Sequence, residues 1–134
     1  MKIGFTGTQI GMSDKQKEQF VLDLLDLNPT ECHHGDCIGA DAEAHDIVRA
    51  FFPDCLIILH PPKVTSKRAY KKADASYPPE EYLDRNHKIV EKSEVLFGTP
   101  KNDTEELRSG TRATIRYGRK LEKLGKIAVI VLPR

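Results

Sequence analysis

The sequence predicts an α/β fold, a single doubly wound domain over residues 1–134 with about five mostly parallel strands and helices on both faces of the sheet. Short apolar runs alternate with amphipathic helical patterns along the chain, as in units joined by right-handed crossovers. Two of these runs, residues 55–59 and 127–132, are apolar on both faces, which is typical of parallel strands covered by helices. A chain of 134 residues is also long enough to form a core without metal or disulfide support.

The first strand and helix are expected in the first 30 residues. A strand is predicted at residues 2–6, and Ser13 and Gln16 then have the spacing of a capping box, which predicts a helix start. Asn28-Pro29 ends that helix. Its apolar positions recur at helical spacing and indicate a core-facing helix: Phe20, Val21, Leu24, Leu25 and Leu27.

A brief second strand, residues 31–34, leads directly into a glycine-bearing turn at residues 35–39. The helix that follows is closed by Pro53, and the third strand is predicted at residues 55–59. The apolar positions that mark this second helix are Ala44, Ile47, Val48 and Phe51.

The longest irregular segment is residues 63–79. Loops of this length in a small domain are usually functional or mobile, so two interpretations stay open. One is a solvated surface loop, and the other is a lid that brings positive charge to a phosphate-bearing ligand. The basic residues that support a lid, with interleaved tyrosines, are Lys63, Lys67, Arg68, Lys71 and Lys72 with Tyr70 and Tyr77.

The last third of the chain repeats the same alternation. A third helix is expected after Pro78-Pro79, a fourth strand at residues 94–98, and a fourth helix from Thr111 with Gly125 as its C-cap. The apolar positions are Leu83, Ile89 and Val90 in the third helix and Ala113, Ile115, Tyr117 and Leu121 in the fourth.

Composition and charge argue against several functional classes. The net charge of +1 provides no overall field for nucleic-acid binding, and no apolar run approaches the roughly 20 residues that cross a bilayer. The N-terminus lacks a signal-peptide core, so a cytoplasmic location is expected. Cys32, Cys37 and Cys55 are an odd set, which argues against a disulfide framework. Cys32-His33-His34 with Cys37 fits none of the common zinc spacings, and no metal is expected.

Three junctions between strands and helices carry the small and hydroxyl-bearing residues that a phosphate site needs. Parallel sheets bind ligands beyond the carboxyl ends of their strands, so these junctions and His60 should share one edge. A helix starting at Thr111 would point its amide groups at the anion. The alternative is that the glycines only make tight turns. The residues are Gly7, Thr8 and Gln9, then Gly35, Asp36, Gly39, Ala40 and Asp41, then Arg108, Ser109, Gly110 and Thr111 with Thr114.

The motifs at residues 4–8, 35–45 and 109–114, together with Arg85-Asn86, form a set that spans nearly the whole chain. This set resembles the SLOG superfamily, which unites the DprA-like DNA-processing proteins with the Lonely Guy phosphoribohydrolases. The resemblance is strongest to small stand-alone YspA-related and DprA-like members. It implies a Rossmann-like fold and a nucleotide-derived ligand, with Arg85-Asn86 at or near a phosphate that residues 109–111 would hold.

The same resemblance contains one departure that bears on catalysis. Lonely Guy enzymes carry a Glu three residues after the Thr of their glycine-rich turn, whereas this chain has Thr114 at that place. The remaining catalytic candidates are Asp41 and His45, since a carboxylate near a glycosidic bond can supply acid–base chemistry. The structural alternative is that Asp41 caps a helix and His45 packs against it.

The leading functional hypothesis is a binding module for a nucleotide or nucleotide-derived ligand, with no required cofactor. The alternative is an enzyme that hydrolyses or transfers an N-glycosidic bond of a nucleotide. A third hypothesis, DprA-like binding of single-stranded DNA through residues 63–72, is opposed by the near-zero net charge. No membrane partner is expected, and a homo-oligomer is compatible with the pattern.

Overall fold

The computed structural model of this chain describes residues 1–104 and 109–134. Within those residues it contains six strands, four α-helices and one short 3₁₀ turn at Thr65–Lys67. In chain order the elements are β1 (Lys2–Gly7), α1 (Asp14–Leu27), β2 (Glu31–His34), α2 (Ala40–Phe51), β3 (Leu56–Leu59), β4 (Ala75–Ser76), α3 (Tyr82–Glu91), β5 (Val95–Thr99), α4 (Gly110–Lys123) and β6 (Ala128–Val131).

The strands form one sheet in the order β4-β3-β2-β1-β5-β6, and every ladder in it is parallel. The predicted α/β fold is therefore confirmed as a Rossmann-like arrangement. The strand order reverses at β1, which lies between β2 and β5. In open sheets of this kind, the crevice beyond the carboxyl ends of the strands at the reversal is where ligands bind.

The sheet has one more strand than the sequence predicts. The extra strand, β4, lies within the segment at residues 63–79 and pairs with β3 through Ile58 opposite Ala75 and Leu59 opposite Ser76. Asp74 fixes this register, because its carboxylate accepts a hydrogen bond of 2.8 Å from the Ile57 N–H. Two exposed residues carry no alternating pattern, so periodicity could not reveal this strand.

The core lies on both faces of the sheet, because alternate residues of each strand point to opposite sides. Val95 and Phe97 of β5 join the larger apolar cluster, which α1 and α2 cover. Leu96 joins the smaller cluster, which α3 and α4 cover through Ile89 and Ile115. The prediction of helices on both faces is confirmed.

Some apolar residues expected in the core are exposed instead. Leu56 of β3 is 51% exposed, because β3 is covered on one side only by the two-residue β4. Leu25 and Leu83 are also exposed, so the buried stripes of α1 and α3 are narrower than the apolar pattern suggests. The expectation of full burial was wrong at these positions, where few elements pack against the chain.

The predicted helix ends agree with the structure. Ser13 caps α1 in a capping box with Gln16, and the Gln16 side chain also donates to the carbonyls of Pro100 and Leu132. These two bonds fasten α1 to the carboxyl ends of β5 and β6. Gly125, with a φ of +73°, lies directly after the last turn of α4. Among residues 1–104 and 109–134, no helix is both long and apolar enough to cross a membrane.

Candidate functional site

A cavity of about 700 Å³ opens at the carboxyl edge of the sheet, where the loops after β1 and β5 meet the start of α3. Its position matches the reversal of strand order at β1. Residues from all three predicted junctions therefore reach one space. The sequence-predicted site residues that line it are Gly7, Thr8, Gln9, Asp41, Arg85, Asn86, Ser109, Gly110 and Thr111.

One end of the cavity is the first turn of α4. The Ser109 hydroxyl accepts the Arg112 N–H at 3.2 Å and so caps the helix. Helix geometry leaves the N–H groups of Gly110 and Thr111 without an intrahelical acceptor, and both residues line the cavity. Thr114 does not line it, because its hydroxyl donates to the Gly110 carbonyl at 3.0 Å. Arg108, which precedes Ser109 in the predicted motif, lies outside the described residues.

Tyr82 packs against the start of α4, where Gly110 leaves room for it. A Cβ atom on Gly110 would lie 1.2 Å from the Tyr82 hydroxyl oxygen, so any side chain at position 110 would displace the phenol ring. Burial raises the pKa of the Tyr82 hydroxyl, and the nearby Asn86 side chain opposes that shift. Asn86 therefore lies next to Tyr82 in the lining of the cavity.

Arg85 lies behind Tyr82, with its guanidinium carbon 5.4 Å from the centre of the Tyr82 ring. The side chain is only 5% exposed. Its Nη1 donates to the Gly35 carbonyl at 3.2 Å and lies 3.4 Å from the Cys37 sulfur. Its Nε is buried and has no hydrogen-bond partner among the described residues. Arg85 thus brings a buried cation with an unused donor to the cavity.

Asp41 faces the cavity from the first turn of α2 and is 5% exposed. Its Oδ2 accepts the Cys37 N–H at 3.3 Å, whereas Oδ1 is buried without a partner within residues 1–104 and 109–134. Burial raises the pKa of this carboxyl to about 6, although Arg85 and backbone donors oppose that shift. Asp41 is therefore a buried acid with one unused acceptor atom.

The loop after β1 is fixed against the start of α2. The Thr8 carbonyl accepts the Ala40 N–H at 2.9 Å, and Gly39 has a φ of +88°. A Cβ atom on Gly39 would lie 2.3 Å from the Gln9 carbonyl oxygen. The Thr8 hydroxyl is buried, and the part of the chain that the structure describes offers it no partner. Gly39 and Ala40 therefore do not line the cavity; they contact the loop after β1, which does.

The turn between β2 and α2 does not offer its amide groups to an anion as the sequence suggests. The N–H groups of Asp36, Cys37, Ile38 and Ala40 all donate within the protein, to His34 Nδ1, Asp41 Oδ2, the Lys67 carbonyl and the Thr8 carbonyl respectively. This turn contributes the Asp41 carboxyl to the cavity. Gly35 contributes space, because a Cβ atom there would lie 2.0 Å from Arg85 Nη1.

Asp36 anchors the segment that the sequence suggests as a lid. Its fully buried carboxylate accepts from Arg68 Nε and from the Lys71 N–H, each at 3.0 Å. The Lys71 ammonium pairs with Asp46 at 3.0 Å. Lys63 pairs with Glu81 at 3.3 Å, so three of the five expected cations are held in ion pairs, which reduces the charge available for single-stranded DNA. Lys63 and Lys67 do line the cavity.

The remaining predicted residues, His45 and His60, do not line the cavity. His45 Nδ1 lies 2.9 Å from His34 Nε2, and His60 Nε2 lies 2.8 Å from His33 Nδ1. His60 also stacks on the Tyr77 ring at 4.6 Å, and burial lowers its pKa to about 3. Of the two catalytic candidates, only Asp41 reaches the cavity.

The described residues contain no group of three or more His, Cys, Asp or Glu side chains that could hold a metal ion. Cys32 and Cys55 are buried in the larger apolar cluster. Cys37 lines the cavity beside Arg85, and burial raises the pKa of its thiol to about 11.

Sequence reasoning missed several residues that line the cavity, and three of them bear most on its chemistry: Cys37, Tyr82 and Lys101. Two of them had a detectable signal. Tyr82 precedes Arg85 by three residues, a spacing that places both on one helix face. Lys101 follows β5 by two residues, so the rule that ligands bind beyond strand ends includes it. The only sequence signal for Cys37 was its position in the glycine-bearing turn at residues 35–39.

Comparison with known proteins supports the fold alone. No protein-family model matches the chain, and no curated protein matches it. A solved structure that does match is the X-ray structure of TM1055, a target of the Northeast Structural Genomics Consortium. The TM-score is 0.60 at 15% sequence identity, over 90% of this chain and 70% of that one. The chain therefore shares its α/β architecture with a solved protein at low sequence similarity.

Proposed function

We propose that this protein binds a nucleotide or nucleotide-derived, phosphate-containing ligand in the cavity at the carboxyl edge, as a sensor, carrier or sequestering module. The observation that carries the proposal is that residues lining one cavity hold buried polar atoms without partners among the described residues. Arg85 Nε and Asp41 Oδ1 are buried without partners among the described residues, and α4 begins at the same cavity. Buried polar groups of this kind are normally hydrogen-bonded, so an unused set indicates a ligand.

The phosphate is assigned to the start of α4. The amide groups of Gly110 and Thr111 and the positive end of the helix dipole favour an anion there. Lys67 adds positive charge at the edge of the cavity, whereas Lys63 is paired at 3.3 Å with Glu81, which lines the same cavity. Within the described residues, the first turn of α4 contains no acidic residue.

The size of the cavity fits the same class of ligand. A volume of about 700 Å³ lies within the range of roughly 300–1,000 Å³ that small-molecule sites occupy. Tyr82 supplies an aromatic surface next to the assigned phosphate position. The resemblance of residues 35–45, Arg85-Asn86 and residues 109–114 to the SLOG superfamily supports the same type of ligand.

Ligand-induced thermal stabilisation tests the proposal. The probes are inorganic phosphate, adenosine, guanosine, cytidine and uridine 5′-monophosphates, and ADP-ribose. At least one organic probe should raise the melting temperature of the wild-type protein. Gly110→Asp should abolish that shift, because it places a negative charge where the phosphate is assigned and displaces the Tyr82 ring from the cavity wall. Arg85→Ala should reduce that shift, because losing a charged hydrogen bond usually raises the Kd of the ligand by about tenfold or more.

Gly125→Asp is the matched control, because it places the same carboxylate at the opposite end of the same helix. Nothing lies within 4 Å of a Cβ atom at position 125. This variant should keep the full ligand-induced shift. The proposal is wrong if no probe stabilises the wild-type protein, or if Gly110→Asp and Gly125→Asp bind equally well.

A second candidate function is hydrolysis or transfer at the N-glycosidic bond of a nucleotide. It is favoured by Asp41, a buried carboxyl in the cavity whose pKa is raised to about 6. A carboxyl of that pKa can exchange protons near neutral pH. Incubation with the nucleotide panel should then release free base, detected by chromatography, and Asp41→Asn should stop the release. Binding without any release would leave the binding module as the function.

A further inference from the structure

The cavity has two ends of opposite chemical character. Contacts arrange its residues in a row: Gly110 lies against Tyr82, Tyr82 lies against Arg85, and Arg85 lies beside Gly35, next to Asp41. Amide groups of α4 define the first end, and a carboxylate defines the other. A ligand that spans the row must therefore carry an anion at one end and a hydrogen-bond donor at the other.

At the Asp41 end, one carboxylate oxygen can accept a hydrogen bond from a ligand. Asp41 Oδ2 already accepts the Cys37 N–H, which leaves Oδ1 as the unused acceptor. Arg85 Nη1 donates to the Gly35 carbonyl and the Cys37 thiol is directed at the same carbonyl, while Arg85 Nε makes no hydrogen bond to this oxygen. Leaving a buried acceptor unpaired is costly, so a ligand that supplies the donor gains affinity.

Charge restricts what that donor can be. A phosphate beside Asp41 would meet a like charge, and this directs the anion to the α4 end. A cationic ligand group would meet the Arg85 guanidinium, which acts electrostatically on Asp41. A neutral donor remains, and the ribose hydroxyls are the neutral donors that every nucleotide shares, whereas the N–H donors of the bases differ in position from one base to another.

We propose that Asp41 is a specificity-determining residue that accepts a hydrogen bond from a ribose hydroxyl of the bound nucleotide. This inference rests on the proposed function, and it assigns ribonucleotides over deoxynucleotides as the ligand class. The Asp41 carboxyl is held in place by the Cys37 N–H on one side and by its position in the first turn of α2 on the other. Its acceptor is therefore oriented before the ligand arrives.

Isothermal titration with sugar-modified probes tests this assignment. The probes are the nucleoside 5′-monophosphate from the panel that binds most tightly and its 2′-deoxy, 3′-deoxy and 2′,3′-dideoxy forms. A site built to bond a hydroxyl discriminates strongly against a ligand that lacks it, so the dideoxy form should bind at least about tenfold more weakly. One of the two monodeoxy forms should reproduce most of that loss.

Asp41→Asn should reduce the preference for the ribonucleotide to less than about threefold, because it removes the charged acceptor and retains an oxygen for the Cys37 N–H. Asp46→Asn is the matched control. It makes the same substitution on the same helix at an exposed residue that pairs with Lys71 and does not line the cavity. It should keep the full preference.

The outcomes separate the two proposals. Binding of the ribonucleotide and the dideoxynucleotide with equal affinity overturns the assignment of Asp41 and leaves the proposed function standing. Absence of binding by every nucleoside 5′-monophosphate overturns the assignment of Asp41, and absence of binding by every organic probe, ADP-ribose included, overturns both. A preference for ribose that persists unchanged in Asp41→Asn also overturns the assignment. Cooperative unfolding of Asp41→Asn at a temperature near that of Asp46→Asn shows that the variant is folded.

Discussion

At the scale of single residues, Gly39 joins the two loops that form one side of the cavity. Its φ of +88° is a conformation that residues with side chains rarely adopt, and the carbonyls of Thr8 and Gln9 occupy the space where a Cβ atom would lie. The contact allows the Thr8 carbonyl to accept the Ala40 N–H. Position 39 therefore requires glycine for both its backbone conformation and its close packing.

Gly39→Ala should lower the free energy of unfolding by about 2–5 kcal/mol, the sum of left-handed backbone strain and overpacking. Gly125→Ala is the control, because its φ of +73° brings the same kind of strain into open space. That variant should lose only about 1–2 kcal/mol. Urea denaturation measures both values, and equal losses would show that the contact with the loop after β1 contributes nothing.

At the scale of elements, two histidines connect β2 to α2 through a defined chain of hydrogen bonds. The Asp36 N–H donates to His34 Nδ1 at 2.9 Å, so the proton of the neutral ring is on Nε2 and is donated to His45 Nδ1. Burial lowers the pKa of His45, and the nearby backbone of Lys72, in the segment that Asp36 also anchors, opposes that shift. The chain requires neutral rings, because protonating His34 Nδ1 would place two donors face to face.

Stability should therefore fall in acid. Burial lowers the pKa of His34 from its ordinary 6.5 to about 3 and the pKa of His60 to about 3. The stability from each neutral ring is fully present above pH 6.5 and is lost as the pH falls from 6.5 toward 3. Each such histidine should contribute a slope of about 1.4 kcal/mol per pH unit to the free energy of unfolding in that range.

Urea denaturation at pH 7.5, 6.0 and 5.0 measures this slope. His34→Gln should lower stability at pH 7.5 and should reduce the slope by the contribution of one histidine. His87→Gln serves as the control, since His87 is exposed on α3 and stacks on Tyr117. A slope that His34→Gln leaves unchanged would contradict the assignment of a buried neutral ring.

The two edge strands of the sheet, β6 and β4, are protected from pairing with a further strand in different ways. On the outer side of β6, Val129 donates its N–H to Glu122 at 2.7 Å and accepts a bond of 3.3 Å from Arg119. These side chains of α4 occupy backbone groups that would otherwise be open to a further strand. The opposite edge, β4, is protected by its length of two residues.

At the scale of the whole molecule, one sheet separates two apolar clusters and couples them. Phe20 of α1 lies 5.3 Å from the Phe5 ring and 5.1 Å from the Phe97 ring, in the larger cluster. Ile115 of α4 is in the smaller cluster. Phe97 and Leu96 are neighbours on β5 and belong to different clusters. Loss of either cluster should therefore disrupt the same sheet.

Phe20→Ala should lower the free energy of unfolding by about 3–5 kcal/mol, and Ile115→Val should lower it by about 0.5–1.5 kcal/mol. Both variants should shift a single transition, seen at the same urea concentration by far-ultraviolet circular dichroism and by tyrosine fluorescence. Two separate transitions in either variant would show that the clusters unfold independently, which is contrary to one coupled sheet.

The sequence alone determined the α/β architecture, the capping box at Ser13 and the strand ends at which the cavity lies. These features depend on local patterns: apolar periodicity, helix caps and glycine turns. The rule that parallel strands end at one edge then brought Thr8, Asp41 and Gly110 together without knowledge of any contact.

Only the tertiary structure decided which of those residues reach the cavity. The amide groups of Asp36, Cys37 and Ile38 are used within the protein. His45 and His60 pair with other histidines, and Asp36 binds Arg68 from 32 positions away. Each of these outcomes depends on a partner brought close by the fold, and sequence periodicity carries no information about such partners. The physical reason is that a polar group near a site is available to a ligand only if no protein group has already satisfied it.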